Sequence, residues 1–241
     1  MGIETEKAVN QLYGVFSNYR LNTSMDASPL YDEEHINEWN RTVSSNELSV
    51  LTGEQLSLFV SKVCYTWGEI NDFKHFLPRI FELIANYNEE PIEAWIAFDK
   101  LDYCDWKNWK PVEFKAVLDY LKALWLQLIN DSAEAAKWKF SELFTSIAKV
   151  HIHPDWLLTK WKESENSISI IHYCEFIDIN SLELLRRKRV REFKDRPDLS
   201  DRFVEWSKVH MKGRLMKIFE SSDNEELIEK IIPTVEIIEK V

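Results

Sequence analysis

The chain has 241 residues, 45% hydrophobic and 29% charged, with ten tryptophans and thirteen phenylalanines; this composition excludes a disordered chain and supplies a core without staples. A formal net charge of −11 works against general affinity for nucleic acid or acidic membrane surfaces. Three cysteines, Cys64, Cys104 and Cys174, are odd in number and widely separated, which excludes a recognisable disulfide or zinc framework and fits a reducing compartment.

Five glycines and seven prolines are too few for many short strands, so long helices are expected. Over residues 4–19, Val9, Leu12, Tyr13 and Phe16 form one apolar stripe at helical spacing. A polar loop over 21–30 precedes a short helix over 31–39 with Ile36 and Trp39 inward, and 41–46 is loop again. Thr52 suits the N-cap of a helix that buries Leu56, Phe59, Val60 and Val63 and delivers the chain to Trp67-Gly68. There Gly68 can end a helix in the left-handed region, Asn71 or Asp72 can cap the next, and Pro78 suits a first helical turn. Trp67, Gly68, Asp72 and Pro78 are thus expected to build a structural corner between two helices.

Beyond the corner an apolar face through Ile80, Phe81, Leu83, Ile84 and Tyr87 is closed by Asn86-Tyr87-Asn88. Pro91 opens a helix carrying Trp95, Ile96 and Phe98, which the polar stretch 102–108 interrupts. After Pro111, the residues Val117, Leu121, Leu124, Trp125 and Leu128 give the cleanest helical stripe of the chain. Ser132 is the expected cap of a helix with Ala135, Trp138, Leu143, Ile147 and Val150 inside, and Pro154 starts a brief helix with Leu157, Leu158 and Trp161. The alternating, β-branched stretch 167–171 is compatible with a strand, but a lone strand has no partner here and a helix is the expectation. Ser181 then caps a helix holding Leu182, Leu185 and Phe193 that ends at Arg196-Pro197. Another runs from Ser200 through Phe203, Trp206, Leu215 and Phe219, and Ser222 or Asp223 caps a last helix that Pro233 kinks or stops.

These segments predict an all-α fold. No period of 34 to 47 residues survives comparison, which leaves two arrangements open: an irregular, solenoid-like array of antiparallel helical pairs, or a compact multi-helix domain. One helical domain over 1–241 is expected, with 150–153 as the place where a subdivision would fall. The longest apolar runs are far below the ~18 residues of a membrane span, and no basic-then-apolar leader opens the chain, so a cytoplasmic location is expected.

Trp67-Gly68, three residues, Asp72, an aromatic, a basic residue and then His75-Phe76-Leu77-Pro78-Arg79 resembles a signature of uncharacterised bacterial proteins. The likeness extends more loosely to tryptophan-centred helices such as that around Lys122-Ala123-Leu124-Trp125. The resemblance implies kinship and no catalytic residue. Some such proteins carry a cysteine pair before the corner; residues 21–39 contain none here, so the resemblance implies no metal or redox role for that segment.

Three clusters carry candidate chemistry. His75, Asp72 and Arg79 lie at helical spacing and could serve as an acid/base set, although a cap (Asp72) and an ion pair of Arg79 with Glu82 or Asp72 explain the same residues structurally. His151, His153 and Asp155 could contribute metal ligands, as in metal-dependent hydrolases, but Trp156 stands where a further histidine is wanted, and a helix end followed by a proline start accounts for the pattern. Arg186, Arg187, Lys188, Arg189 and Arg191, with Lys194, Arg196 and Arg202 nearby, make a positive run suited to phosphates or to an intramolecular acidic partner. Between residues 186 and 217 twelve Lys or Arg stand against five Asp or Glu, so the remainder of the chain carries −18.

No Gly-x-Ser-x-Gly elbow and no Gly-rich phosphate loop occurs, Cys64, Cys104 and Cys174 have no local catalytic signature, and His172-Tyr173-Cys174-Glu175 sits in an apolar setting. Trp95, Trp125, Trp138 and Trp206 are expected in the core, whereas Trp106 and Trp109 lie in a polar interruption where one could be exposed. The leading functional expectation is a cytoplasmic, non-enzymatic protein-binding or adaptor module, an immunity-type protein among them, that needs no cofactor and meets a protein partner of basic character. The alternatives are nucleic-acid binding through 186–202 and a metal-dependent hydrolase at His151, His153 and Asp155.

Overall fold

A computed structural model describes residues 1–87 and 91–241. The protein is all-α: the described residues contain helices joined by short turns, two isolated β-bridges at Trp67, and no strand or sheet. The chain forms two compact units, Met1–Leu124 and Trp125–Val241. The residue 150–153 join lies inside the second unit. No helix among the described residues is long and apolar enough to cross a membrane.

The first unit holds α1 (Ile3–Phe16), α2 (Glu33–Val43), α3 (Gly53–Lys62), α4 (Ile70–Ala85), α5 (Ala94–Tyr103) and most of α6 (Pro111–Leu128), with 3₁₀ turns at Leu48–Val50 and Trp106–Asn108. Thr52 caps α3 as expected, in a capping box with Gln55. Helix α1 packs along α4, and α3 contacts α2, α4 and α5. The five residues of the α6 stripe are all fully buried. Where the sequence places a closing turn at Asn86-Tyr87-Asn88, Tyr87 turns at φ +55 and Asn88 lies outside the described residues.

Three expectations at the corner are corrected. Helix α3 ends at Lys62 with Val63 as its C-cap, so Gly68 does not end it but stands just before the start of α4. Glu69, in extended conformation, is the N-cap of α4, and Asp72 sits three residues in, where its Oδ2 accepts the Glu69 N–H at 2.8 Å. Pro78 does not start a helix; α4 runs through it. Continuity puts Phe73, Phe76, Leu77, Ile80, Phe81 and Ile84 on one buried face. At about 1.5–3 kcal/mol for each large apolar side chain, that burial outweighs the roughly 3 kcal/mol that an interior proline costs a helix.

The second unit holds α7 (Glu134–Val150), α8 (Pro154–Glu163), α9 (Ser167–Ile179), α10 (Ser181–Arg187), α11 (Pro197–Trp206), α12 (Lys212–Ser221) and α13 (Glu225–Lys240). A 3₁₀ turn spans Arg191–Phe193, and a π-helical turn, Ser207–Met211, joins α11 to α12. Its core is aromatic, with the Trp161 ring 5.0–5.6 Å from those of Phe144, Phe140, Trp125 and Tyr173. The indole N–H groups of Trp125 and Trp161 donate to Leu157 O and Ser169 O, so burial leaves neither unpaired. Residues 167–171 are helical, as expected, with Asn166 accepting the Ile168 N–H at the start of α9.

Several helix ends and faces differ from expectation. Helix α7 starts at Glu134, with Asp131 rather than Ser132 accepting the Ala133 N–H, and it buries Ala136, Phe140, Leu143, Phe144, Ile147 and Ala148. That phase turns Trp138 out of the core, and Trp95 on α5 is likewise exposed. Trp106 is instead fully buried, because the polar interruption folds back through a hydrogen bond from its indole to Asp102 and stacks the ring on Phe114. Leu182 and Leu185 face out while Leu184 and Phe193 are buried. Pro197 begins α11 rather than ending a helix, and Asn224, not Ser222 or Asp223, caps α13, which continues through Pro233.

Candidate functional site

At the corner the backbone itself is constrained. Gly68 has φ +72, its N–H donates to Asp26 O at 2.8 Å, and a Cβ there would stand 3.2 Å from Asp72 Oδ2 and 3.3 Å from Met25 Sδ. Trp67 is buried against Trp39 and Phe59, and its indole donates to Asn40 Oδ1, whose amide in turn donates to Met25 O. The corner thereby anchors the 25–28 loop.

The acid/base candidates on α4 each turn to a different segment. His75 Nδ1 lies 2.9 Å from Tyr19 O; since a carbonyl only accepts, that nitrogen carries the proton. Asp72 holds the Glu69 N–H. Arg79 donates to Leu51 O and to Glu82, and Glu82 also accepts from Tyr13. A buried pair that the sequence did not single out stands beside them: Lys74 donates to Glu113 at 2.7 Å and to Tyr19, while Tyr19 donates to Glu113 at 2.6 Å. Although burial raises it, the two hydrogen bonds from Lys74 and Tyr19 and the charges of Lys74 and Lys110 hold the Glu113 carboxyl below its ordinary pKa.

His151 and His153 lie with ring centroids 6.4 Å apart. The Nδ1 of His151 accepts the His153 backbone N–H, its ring stacks on Trp156, and Asp155 is held by Arg202 at 2.8 Å. Among the described residues no group of three or more His, Cys, Asp or Glu is placed to hold a metal ion.

The basic run is not a helix face. Helix α10 stops at Arg187 because Lys188 turns left-handed at φ +58, and the chain then passes through buried Val190, whose N–H donates to Ser200 Oγ. Arg187 pairs with Glu183 and Arg191 with Glu192, whereas Arg186 and Arg189 are exposed.

The closest gathering of reactive side chains joins residues 40 positions apart. Helix α3 ends at Lys62, and Cys64 just beyond it has φ +61, a region where a side chain costs roughly 1–2 kcal/mol. Helix α5 ends at Tyr103, followed by Cys104. Packing of α3 on α5 brings the two sulfurs to 2.8 Å. Lys100, one turn before Cys104 and fully buried, donates to Ser61 O and Val63 O, satisfying carbonyls at the end of α3, and its ammonium sits over the Tyr65 ring. Burial lowers the Lys100 pKa to about 8. The Tyr65 and Tyr103 rings meet edge to face at 4.1 Å, so Cys64-Tyr65 and Tyr103-Cys104 form a mirrored pair.

Cys104 is buried and Cys64 half-exposed, and both line one cleft with Tyr103, Gly68, Glu69, Ile70 and Asn71. The hydrogen bond shared with Cys64, and then the Lys100 charge, push the Cys104 thiol below its ordinary pKa; the same bond and burial push Cys64 up. Physically, two sulfurs share one proton, so the pair gives up its first proton readily and its second reluctantly. Cys174, in contrast, is buried near Thr234 with its pKa raised to about 11 by burial. No spacing rule reaches across 40 residues, and the mirrored Cys-Tyr and Tyr-Cys at two helix ends is the only local trace of the pair. Comparison with protein-family models, with curated proteins and with solved structures finds no match, so the side chains themselves carry any functional reading.

Proposed function

We propose that the protein is a non-enzymatic protein-binding module that engages its partner through the outward face of α5. The observation that carries this reading is the exposure of Trp95 (53%) and Tyr103 (55%), with Asp99 between them at four-residue spacing, and of Tyr65 (52%) against Tyr103. Large aromatic side chains held in water on a rigid helix are the residue types that anchor protein interfaces. Glu93 and Asp102 flank the aromatics, so a partner surface that combines basic and apolar groups is the complementary one. Nucleic-acid binding through 186–202 has weaker support, because the run is broken at Lys188 and two of its arginines already pair with neighbouring glutamates.

The test is affinity capture from native cells by the wild-type chain and by a Trp95→Ala/Tyr103→Ala chain. A partner held by the wild type and lost by the variant, at unchanged thermal stability, is expected. Equal capture by both chains, or no reproducible partner, ends the reading.

A further inference from the structure

We propose that Cys64 and Cys104 are an oxidant-sensitive pair that closes reversibly into an intramolecular disulfide, with peroxides as the class of oxidant. Three observations carry it. The sulfurs already face each other at 2.8 Å across the α3–α5 contact. Both cysteines line one cleft with Gly68, Glu69, Ile70 and Asn71, and Cys64 is the more exposed of the two, so a small oxidant reaches the pair from that side. Cys64 is also held at φ +61, a strained conformation of the kind that persists where the surrounding structure fixes a functional group.

The chemistry balances with a peroxide as the two-electron oxidant. The two sulfurs share one proton, and in one form Cys104 carries it and donates to Cys64. In that form the Cys64 thiolate attacks one peroxide oxygen; an S–O bond forms and the O–O bond breaks. The departing oxygen takes up the proton released from the pair and leaves as water, or as an alcohol from an alkyl peroxide. Cys104 then attacks the sulfenic sulfur, the S–S bond forms, and the sulfenic oxygen departs as water with the remaining thiol proton. Two thiols lose two electrons and two protons in total, and the peroxide takes up both. A reducing dithiol reverses the step by thiol–disulfide exchange. Lys100 assists by placing positive charge beside the pair, which favours the monothiolate that begins the sequence. Cys174 has no second thiol beside it and stays outside the reaction. The inference is independent of what the α5 face binds, since its readout needs no partner.

The experiment exposes the full-length reduced chain to graded hydrogen peroxide, followed by alkylation and peptide mass mapping. Expected is a Cys64–Cys104 cross-linked peptide with a mass lower by two hydrogens, reversed by dithiothreitol, at peroxide concentrations that leave Cys174 open to alkylation. Oxidation of Cys64 to the sulfinic acid without a cross-link, a cross-link through Cys174, or no reaction where free cysteine is oxidised would each overturn it. In Cys104→Ser, a sulfenic acid on Cys64 that reacts with dimedone is expected to accumulate. Its absence in a folded variant, as judged by circular dichroism, also counts against the proposal, and the wild-type mapping decides the matter should the variant not fold.

Discussion

Gly68 is a position where the backbone and the neighbours agree on glycine. At φ +72 any side chain is strained, and a Cβ would press on Asp72 Oδ2 and Met25 Sδ, so Gly68→Ala should lower stability by about 1–2 kcal/mol in urea unfolding. His75→Ala removes one hydrogen bond to Tyr19 O and should cost about 1 kcal/mol or less. The reverse ranking would mean that His75, not the corner backbone, organises this region. The glycine's left-handed conformation was legible in the sequence, but its place was not: it does not end α3, which stops at Lys62, and instead stands just before the N-cap of α4. The Arg79–Glu82 ion pair was legible too, at its i,i+3 spacing, whereas the bonds of His75 to Tyr19 O and of Arg79 to Leu51 O were not, because those carbonyls lie on distant segments.

His172 shows the same limit in the second unit. It is buried, stacks on Phe140 at 4.5 Å, and has Nε2 3.0 Å from Asp131 O; burial holds its pKa below the ordinary 6.5. Between the depressed value and 6.5, the unfolded chain binds a proton that the folded chain does not. Its contribution is therefore complete above pH 6.5 and is lost as pH falls through that window. A His172→Phe chain should lose less stability than the wild type when urea unfolding is repeated from about pH 7 down to about pH 5, the span in which an ordinary histidine titrates. Parallel losses in the two chains would place the acid sensitivity elsewhere.

At the scale of the helix, existence was legible throughout, and phase only where the apolar stripe is sustained. The stripe from Val117 to Leu128 repeats often enough to fix both, and all five residues are buried. On α7 the expected Leu143, Ile147 and Val150 are buried, and the misreading is confined to the first turns, where Ala136 and Phe140 point in and Trp138 is 80% exposed. A reverse error befell Trp106, where a short polar run hid a fully buried ring. Trp106→Ala should thus cost about 3–5 kcal/mol, whereas Trp138→Ala should stay within about 0.5 kcal/mol of the wild type. Comparable losses for the two would show that α7 does not present Trp138 to solvent. Helix ends were misread where a side chain outside the expected cap took the N–H groups, as Asp131 does before α7 and Asn224 does on α13.

For the whole molecule, the two units give the cysteine pair a local reach. Both sulfurs belong to Met1–Leu124, and the cross-link would close a loop of 40 residues within that unit alone. Loop-closure entropy removed from the unfolded chain then stabilises the first unit by about 4 kcal/mol, less any strain of closing the bond. The second unit, with its own aromatic core around Trp161, gains nothing directly. Hydrogen exchange on the reduced and peroxide-oxidised chains reads this unit by unit, because slowly exchanging amides report local opening as well as global unfolding. Amides of α4 and α5 should exchange more slowly after oxidation, while those of α9 and α13 keep their rates. Equal slowing in both units would mean that they open as one, and faster exchange in α5 would mean that the bond forms only by distorting the α3–α5 contact.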